Sequence, residues 1–171
     1  YDFDLPFVFT KANTQSLIVA VVDSYDRIRN LAIDILYRIP GLLPGFETAA
    51  EVSKLVTWTS VLIASPREKE SDAGALLLKL VYQLYVAKGW HISFGNGVSV
   101  TEPPSGSDPD QAEAKIFFLL ELMNLLRREV GASTPNAQIV DDATRYSSPH
   151  GVLLTLRYVV EVTDWRVVAG A

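Results

Sequence analysis

The chain has 171 residues, 49% of them apolar and 20% charged, with net charge −5, two histidines and no cysteine. This length and apolar content suit a packed core and set the chain apart from disordered sequences. The missing cysteines exclude disulfides, thiolate metal sites and a thiol nucleophile, and the scattered Lys and Arg residues lack the clustering that phosphate recognition needs.

Six segments carry the 3.6-residue apolar period of helices. Residues 13–22 open with a cap at Asn13 or Thr14 and continue as the apolar run "LIVAVV". Such a Val-rich run also fits a buried strand, and its helical neighbours favour a helix. Residues 26–39 place Ile28, Leu31, Ala32, Ile35, Leu36 and Ile39 on one face, and Pro40 with Gly41 ends the segment. After the connector "GLLPGFE", residues 47–64 bury Val52, Leu55, Val56, Thr59, Leu62 and Ile63. Ser65 is the expected cap of a fourth helix, 69–88, with Pro66 in its first turn. Its inward stripe is Ala73, Leu76, Leu77, Leu80, Val81 and Leu84, and Gly89 closes it.

The period vanishes over residues 90–109, "WHISFGNGVSVTEPPSGSDP", which reads as an inserted loop with a small hairpin about "GNG". A fifth helix, 110–130, follows with Ala112, Ile116, Leu119, Leu120, Met123 and Leu126 inward. A second loop, 131–149, leads to a sixth helix over 149–163 with Val152, Leu153, Leu156 and Val160 inward. No apolar run reaches the roughly 18 residues of a membrane span, and no stretch within these residues reads as a secretory signal. The first residue is Tyr1, which fits a piece of a longer protein, and the expected compartment is cytoplasmic.

Aligning "AIDILYRI" with "LLKLVYQL" sets Tyr37 on Tyr82 and superposes the two apolar stripes 45 residues apart. A period of about 40–47 residues belongs to helix-pair repeats, in which each pair buries its apolar flank only against the next. The expected fold is therefore all-α, a HEAT/armadillo-like α-solenoid fragment of antiparallel helix pairs spanning 1–171. The rival is an ordinary bundle whose helices align merely because all are amphipathic. In HEAT-type repeats a turn aspartate precedes an arginine that opens the second helix, and "DSYDRIRNLAIDIL" resembles that pattern. Asp23 or Asp26 would cap the helix, and Arg29 would reach a carboxylate in the adjacent turn, making a ladder between repeats. The second unit carries Gly74 where the first has Arg29.

No catalytic constellation stands out. His91 and His150 have no carboxylate beside them at metal-ligand spacing, and no serine lies in a nucleophile-elbow context. "FGNG" reads as a turn, and Glu68, Glu70 and Asp72 read as the solvated start of a helix. No metal or cofactor is expected. Trp58, Trp90 and Trp165 are candidates for packing or partner contact. The candidate RNA or partner surface is Lys54, Lys79, Arg127, Arg128 and Arg157.

Three strings, "VVDSYDRIRNLAIDILYRIPGLLPGF", "SPREKESDAGALLLKLVYQLYV" and "SSPHGVLLTLRYVVEV", occur in an order that resembles the THADA-like family of HEAT/armadillo proteins. The likeness runs from about Val21 to Val162, apart from the loop near 95–108, and includes the "RxxAxxxLxxxP" spacing from Arg29 to Pro40. It implies a non-catalytic auxiliary subunit of a tRNA 2′-O-ribose methyltransferase. S-adenosylmethionine and the catalytic residues would belong to an FtsJ-like partner, to which the platform presents anticodon-loop nucleotide 32. Other parts of the parent would contact tRNA. The alternative is a HEAT adaptor for protein partners in transport or chromosome organisation, and a third is an enzyme using His91 or His150.

Overall fold

A computed structural model describes residues 10–106, 108–132 and 149–170. The chain is mostly helical: α1 (Lys11–Ala20), α2 (Asp26–Tyr37), α3 (Ala49–Ile63), α4 (Glu68–Leu84), α5 (Gln111–Ala132), α6 (His150–Glu161) and the short α7 (Trp165–Ala169). A 3-10 turn, Val86–Lys88, follows α4, so the fourth helix stops one turn before its expected end. Strands β1 (His91–Ser93) and β2 (Ser99–Thr101) pair antiparallel, Ile92 opposite Val100, and put the expected hairpin about "GNG" inside the 90–109 insertion. Among the described residues no helix is long and apolar enough to cross a membrane. The second expected loop lies, over 133–148, outside the described residues.

Short turns make α1 with α2 and α3 with α4 antiparallel neighbours, and α5 packs on α6. Helices α2, α4 and α6 lie side by side and run parallel. Lys69 near the start of α4 reaches Asp26 at the start of α2, and His150 at the start of α6 reaches Asp72 in α4. At the other end, the Tyr82 and Thr163 hydroxyls are 2.6 Å apart, joining the end of α4 to the residues after α6. The hairpin fills the space between α3 and α5: Glu102 accepts the Ala49 amide at the start of α3, and Glu121 of α5 accepts the Phe94 amide.

The central helix α4 is buried almost all round, with Leu77, Leu78, Leu80, Val81 and Tyr82 in the core, as a helix covered on several sides must be. In α3 the buried set is the expected one, Val52, Leu55, Val56, Thr59, Leu62 and Ile63. Close approach explains Gly74: a Cβ there would lie 2.7 Å from Leu62 Cβ and 2.9 Å from the Ile63 amide nitrogen. No side chain fits, so the arginine of the first unit has no counterpart.

The outer helices correct the expected stripes. Ala32, Leu36 and Ile39 are buried, whereas Ile28, Leu31 and Ile35 are exposed. About 100° of rotation per residue puts those three opposite Ile33 and Tyr37, the side that faces α4. In α5 the inward line is Ala114, Phe118, Leu119 and Leu122, while Ala112, Leu120 and Met123 face solvent. In α6 it is Gly151, Val152, Thr155 and Val159, with Leu153 and Val160 exposed. These helices have two apolar flanks, and only one of each is covered.

Several caps also differ from expectation. Thr10, rather than Asn13 or Thr14, accepts the Asn13 amide at the start of α1. Helix α2 is preceded by Tyr25 with no side-chain cap; Asp23 instead accepts the Tyr25 amide at 2.9 Å, tightening the turn. Ser65 accepts the Arg67 amide and donates to Glu70, while α4 itself starts at Glu68.

Tyr85 ties the 40–48 connector to the core: its hydroxyl donates to the Phe46 carbonyl at 2.6 Å and accepts the Leu43 amide at 3.1 Å. Tyr85→Phe leaves both backbone groups without that partner and is expected to cost about 1–3 kcal/mol in urea unfolding. An unchanged midpoint and slope would show that the connector is held by other means.

Candidate interaction surfaces

The openings of α2, α4 and α6 line one edge of the molecule. Asp26 and Glu68 open their helices 42 residues apart, and His150 opens the third. Arg29 turns inward and donates to the Asp23 carbonyl at 2.6 Å and to the Asp26 carboxylate. The carboxylate it meets is in its own turn, and the link to the next pair runs through Lys69, 3.6 Å from Asp26. A cleft of about 410 Å³ beside this contact is lined by Asp23, Arg29, Arg67, Glu68, Lys69 and Glu70 among others, a surface of both signs. The same edge holds His150 Nε2 2.9 Å from Asp72 Oδ1, with Glu68 adjacent, so the carboxylates missing beside His150 in sequence stand beside it in space.

Toward the C-terminal ends of the same three helices runs an aromatic rung. The Lys79 ammonium sits 5.5 Å from the Tyr37 ring centre and 5.7 Å from that of Tyr158, one on each neighbouring helix. Cation–π attraction and the Tyr37 hydroxyl bond to the Leu76 carbonyl fix this rung. Tyr37 thus bridges α2 to α4 as Tyr82, its aligned counterpart, bridges α4 to Thr163.

Burial raises the hydroxyls of Tyr37, Tyr82, Tyr85 and Tyr158 above the ordinary tyrosine range, and for Tyr158 the Asp72 carboxylate adds to it. The unfolded chain loses these protons first, so their contribution is whole below about pH 10 and is lost as pH rises beyond it. Alkaline titration is expected to release these phenolates together with the loss of helical circular dichroism. Their ionisation in a fully helical chain would contradict this account.

The remaining basic candidates lie on several helices and are largely engaged. Arg128 donates to the Gly95 and Phe94 carbonyls and holds the hairpin; Arg157 pairs with Glu161 at 3.0 Å; Arg127 bonds Asn124. Lys54 is exposed on α3 beside a groove shared with Ile18, Val19 and Trp58, so Trp58 packs toward the first helix pair. Trp90 is buried edge-on against Tyr85, and Trp165 is 72% exposed at the start of α7. His91 lies against the Phe117 ring.

Exposed apolar residues gather on the outer helices. On α2 they are Ile28, Leu31 and Ile35. On the far side Leu120, Met123, Leu156, Val160 and Val168 line an open groove of about 290 Å³ between α5, α6 and α7. Comparison of the chain with models of known protein families, with curated proteins and with solved structures finds no match.

Proposed function

We propose that this chain is a segment of a HEAT/armadillo-type α-solenoid and serves as a non-catalytic scaffold in a cytoplasmic THADA-like protein. In that role it supports 2′-O-ribose methylation of tRNA anticodon-loop nucleotide 32 by an FtsJ-like partner. The observation that carries the proposal is the layered order of the helices. In an up-and-down bundle adjacent helices alternate in direction, whereas α2, α4 and α6 run parallel, each joined to the next by Lys69–Asp26, Tyr37–Leu76, His150–Asp72 and Tyr82–Thr163. Parallel neighbours separated by one helix are the mark of stacked pairs, and the open flanks of α2 and of α5–α6 are where further pairs would stack.

A platform of this kind raises a partner's rate by holding two reactants in register. The THADA-like family, the FtsJ-like partner and the tRNA substrate are proposed from the sequence resemblance over about Val21 to Val162, apart from the loop near 95–108. With net charge −5 and the three candidate arginines Arg127, Arg157 and Arg128 held by Asn124, Glu161 and the hairpin, this segment contributes packing and protein contact, and other parts of the parent bind tRNA. The test is deletion of the parent gene, mapping of ribose methylation at nucleotide 32, and affinity purification of the tagged parent. Loss of the modification and recovery of a methyltransferase support the proposal; unchanged modification ends it.

The same charge balance favours a second reading, an adaptor that binds only proteins. A tRNA pull-down with the parent over a salt series separates the two, since retention that falls steeply with salt belongs to the first alone.

A further inference from the structure

Glu68 and Asp72 are four residues apart and share one face of α4, and the opening residue of α6, His150, lies against them. One donor atom from each of the three lies within 4.8 Å of both others. Two donors in adjacent positions around an ion at about 2.1 Å are about 3.0 Å apart in an octahedron and about 3.4 Å apart in a tetrahedron, and Asp72 Oδ1 is 2.9 Å from His150 Nε2.

Charge supports the same conclusion. Among the described residues the nearby cations are spent elsewhere: Arg67 on Glu70, Lys69 on Asp26 and Arg29 on Asp26 and the Asp23 carbonyl. Among the described residues no ion pair or hydrogen bond engages the Glu68 carboxylate, so two carboxylates face one imidazole. The backbone that carries the imidazole is fixed as well. Gly151, next along the chain, fits so closely against α3 that a Cβ would stand 2.2 Å from the Ile63 carbonyl oxygen. Donors on two such helices are held by the packing rather than by a loop.

We propose that Glu68, Asp72 and His150 form a binding site for a divalent first-row transition cation, with Zn²⁺ as the representative ion, clamping α4 to α6. One imidazole nitrogen with two carboxylates suits Zn²⁺, Mn²⁺ or Co²⁺ better than Mg²⁺, which prefers oxygen donors alone. Three protein donors leave at least one position for water or for a donor from a partner.

The test is calorimetric titration of the 171-residue chain with Zn²⁺ at neutral pH, with Mg²⁺ as comparison and circular dichroism confirming the fold of each variant. Saturable uptake of one Zn²⁺ is expected, absent in His150→Gln and retained in His91→Gln. Glu68→Gln leaves the Asp72–His150 contact in place, and it is expected to weaken Zn²⁺ by at least the roughly tenfold that even outer-shell losses cost a metal site. That variant separates a metal site from a simple ion pair. No saturable uptake at millimolar Zn²⁺, equal uptake by wild type and His150→Gln, or an affinity untouched by Glu68→Gln would each overturn the proposal.

Discussion

Gly151→Ala is expected to destabilise the chain by about 3 kcal/mol or more, the upper part of the range for forced overpacking. The added carbon would sit 2.2 Å from the Ile63 carbonyl oxygen and 2.7 Å from the Ile63 Cα. Both are backbone atoms at the end of α3, so no rotamer change relieves the contact. Helix α6 must move away, and with it go Val152, Thr155 and Val159 from the core. Gly131→Ala is the matched control: among the described residues a Cβ there meets nothing within 4 Å, and in a helix alanine gains up to about 1 kcal/mol over glycine. Urea unfolding of the two variants beside wild type reads both effects. A wild-type midpoint for Gly151→Ala would mean that α6 does not seat on α3 as described.

Leu36→Ala is expected to cost about 2–5 kcal/mol, and Leu31→Ala less than about 0.5 kcal/mol, although both belong to the apolar period of α2. Leu36 is 0% exposed and its loss leaves a cavity, whereas Leu31 is 51% exposed and loses little by truncation. Equal penalties would show that α2 is rotated from the orientation given by Tyr37 and Ile33.

These pairs also show how far the sequence could be read. Periodicity located all six long helices, because each carries several turns of apolar spacing, and in α3 it named the whole buried set. It failed to rank apolar residues on α2, α5 and α6. Those helices carry two apolar flanks, and a hydrophobic period records both without saying which has a neighbour. Leu120 and Met123 therefore looked as inward as Leu119, while Phe118 and Leu122, which carry the observed core line, fell outside the stripe.

Glycine was harder still. Gly74 looked like a degenerate repeat position, and only the distance to Leu62 and Ile63 shows why nothing larger fits. The tyrosines aligned 45 residues apart do each bridge to a neighbouring element, yet α2 and α4 begin 42 residues apart, so stripe and helix start keep different registers. The cluster at the edge was invisible, because His150 and Asp72 are 78 residues apart and no local pattern links them. Lys69, likewise, carried no sign that it, rather than Arg29, would join the first two pairs.

The claim on which the scaffold account rests is that the outer flank of α2 is a stacking surface for another helix pair. Its most direct test is the stability cost of Leu31→Asp measured twice, in the 171-residue chain and in the parent protein with its neighbouring repeats. The account predicts a change within about 0.5 kcal/mol in the first and a loss of more than about 2 kcal/mol in the second, where the carboxylate would be buried. The same small effect in both contexts would contradict it.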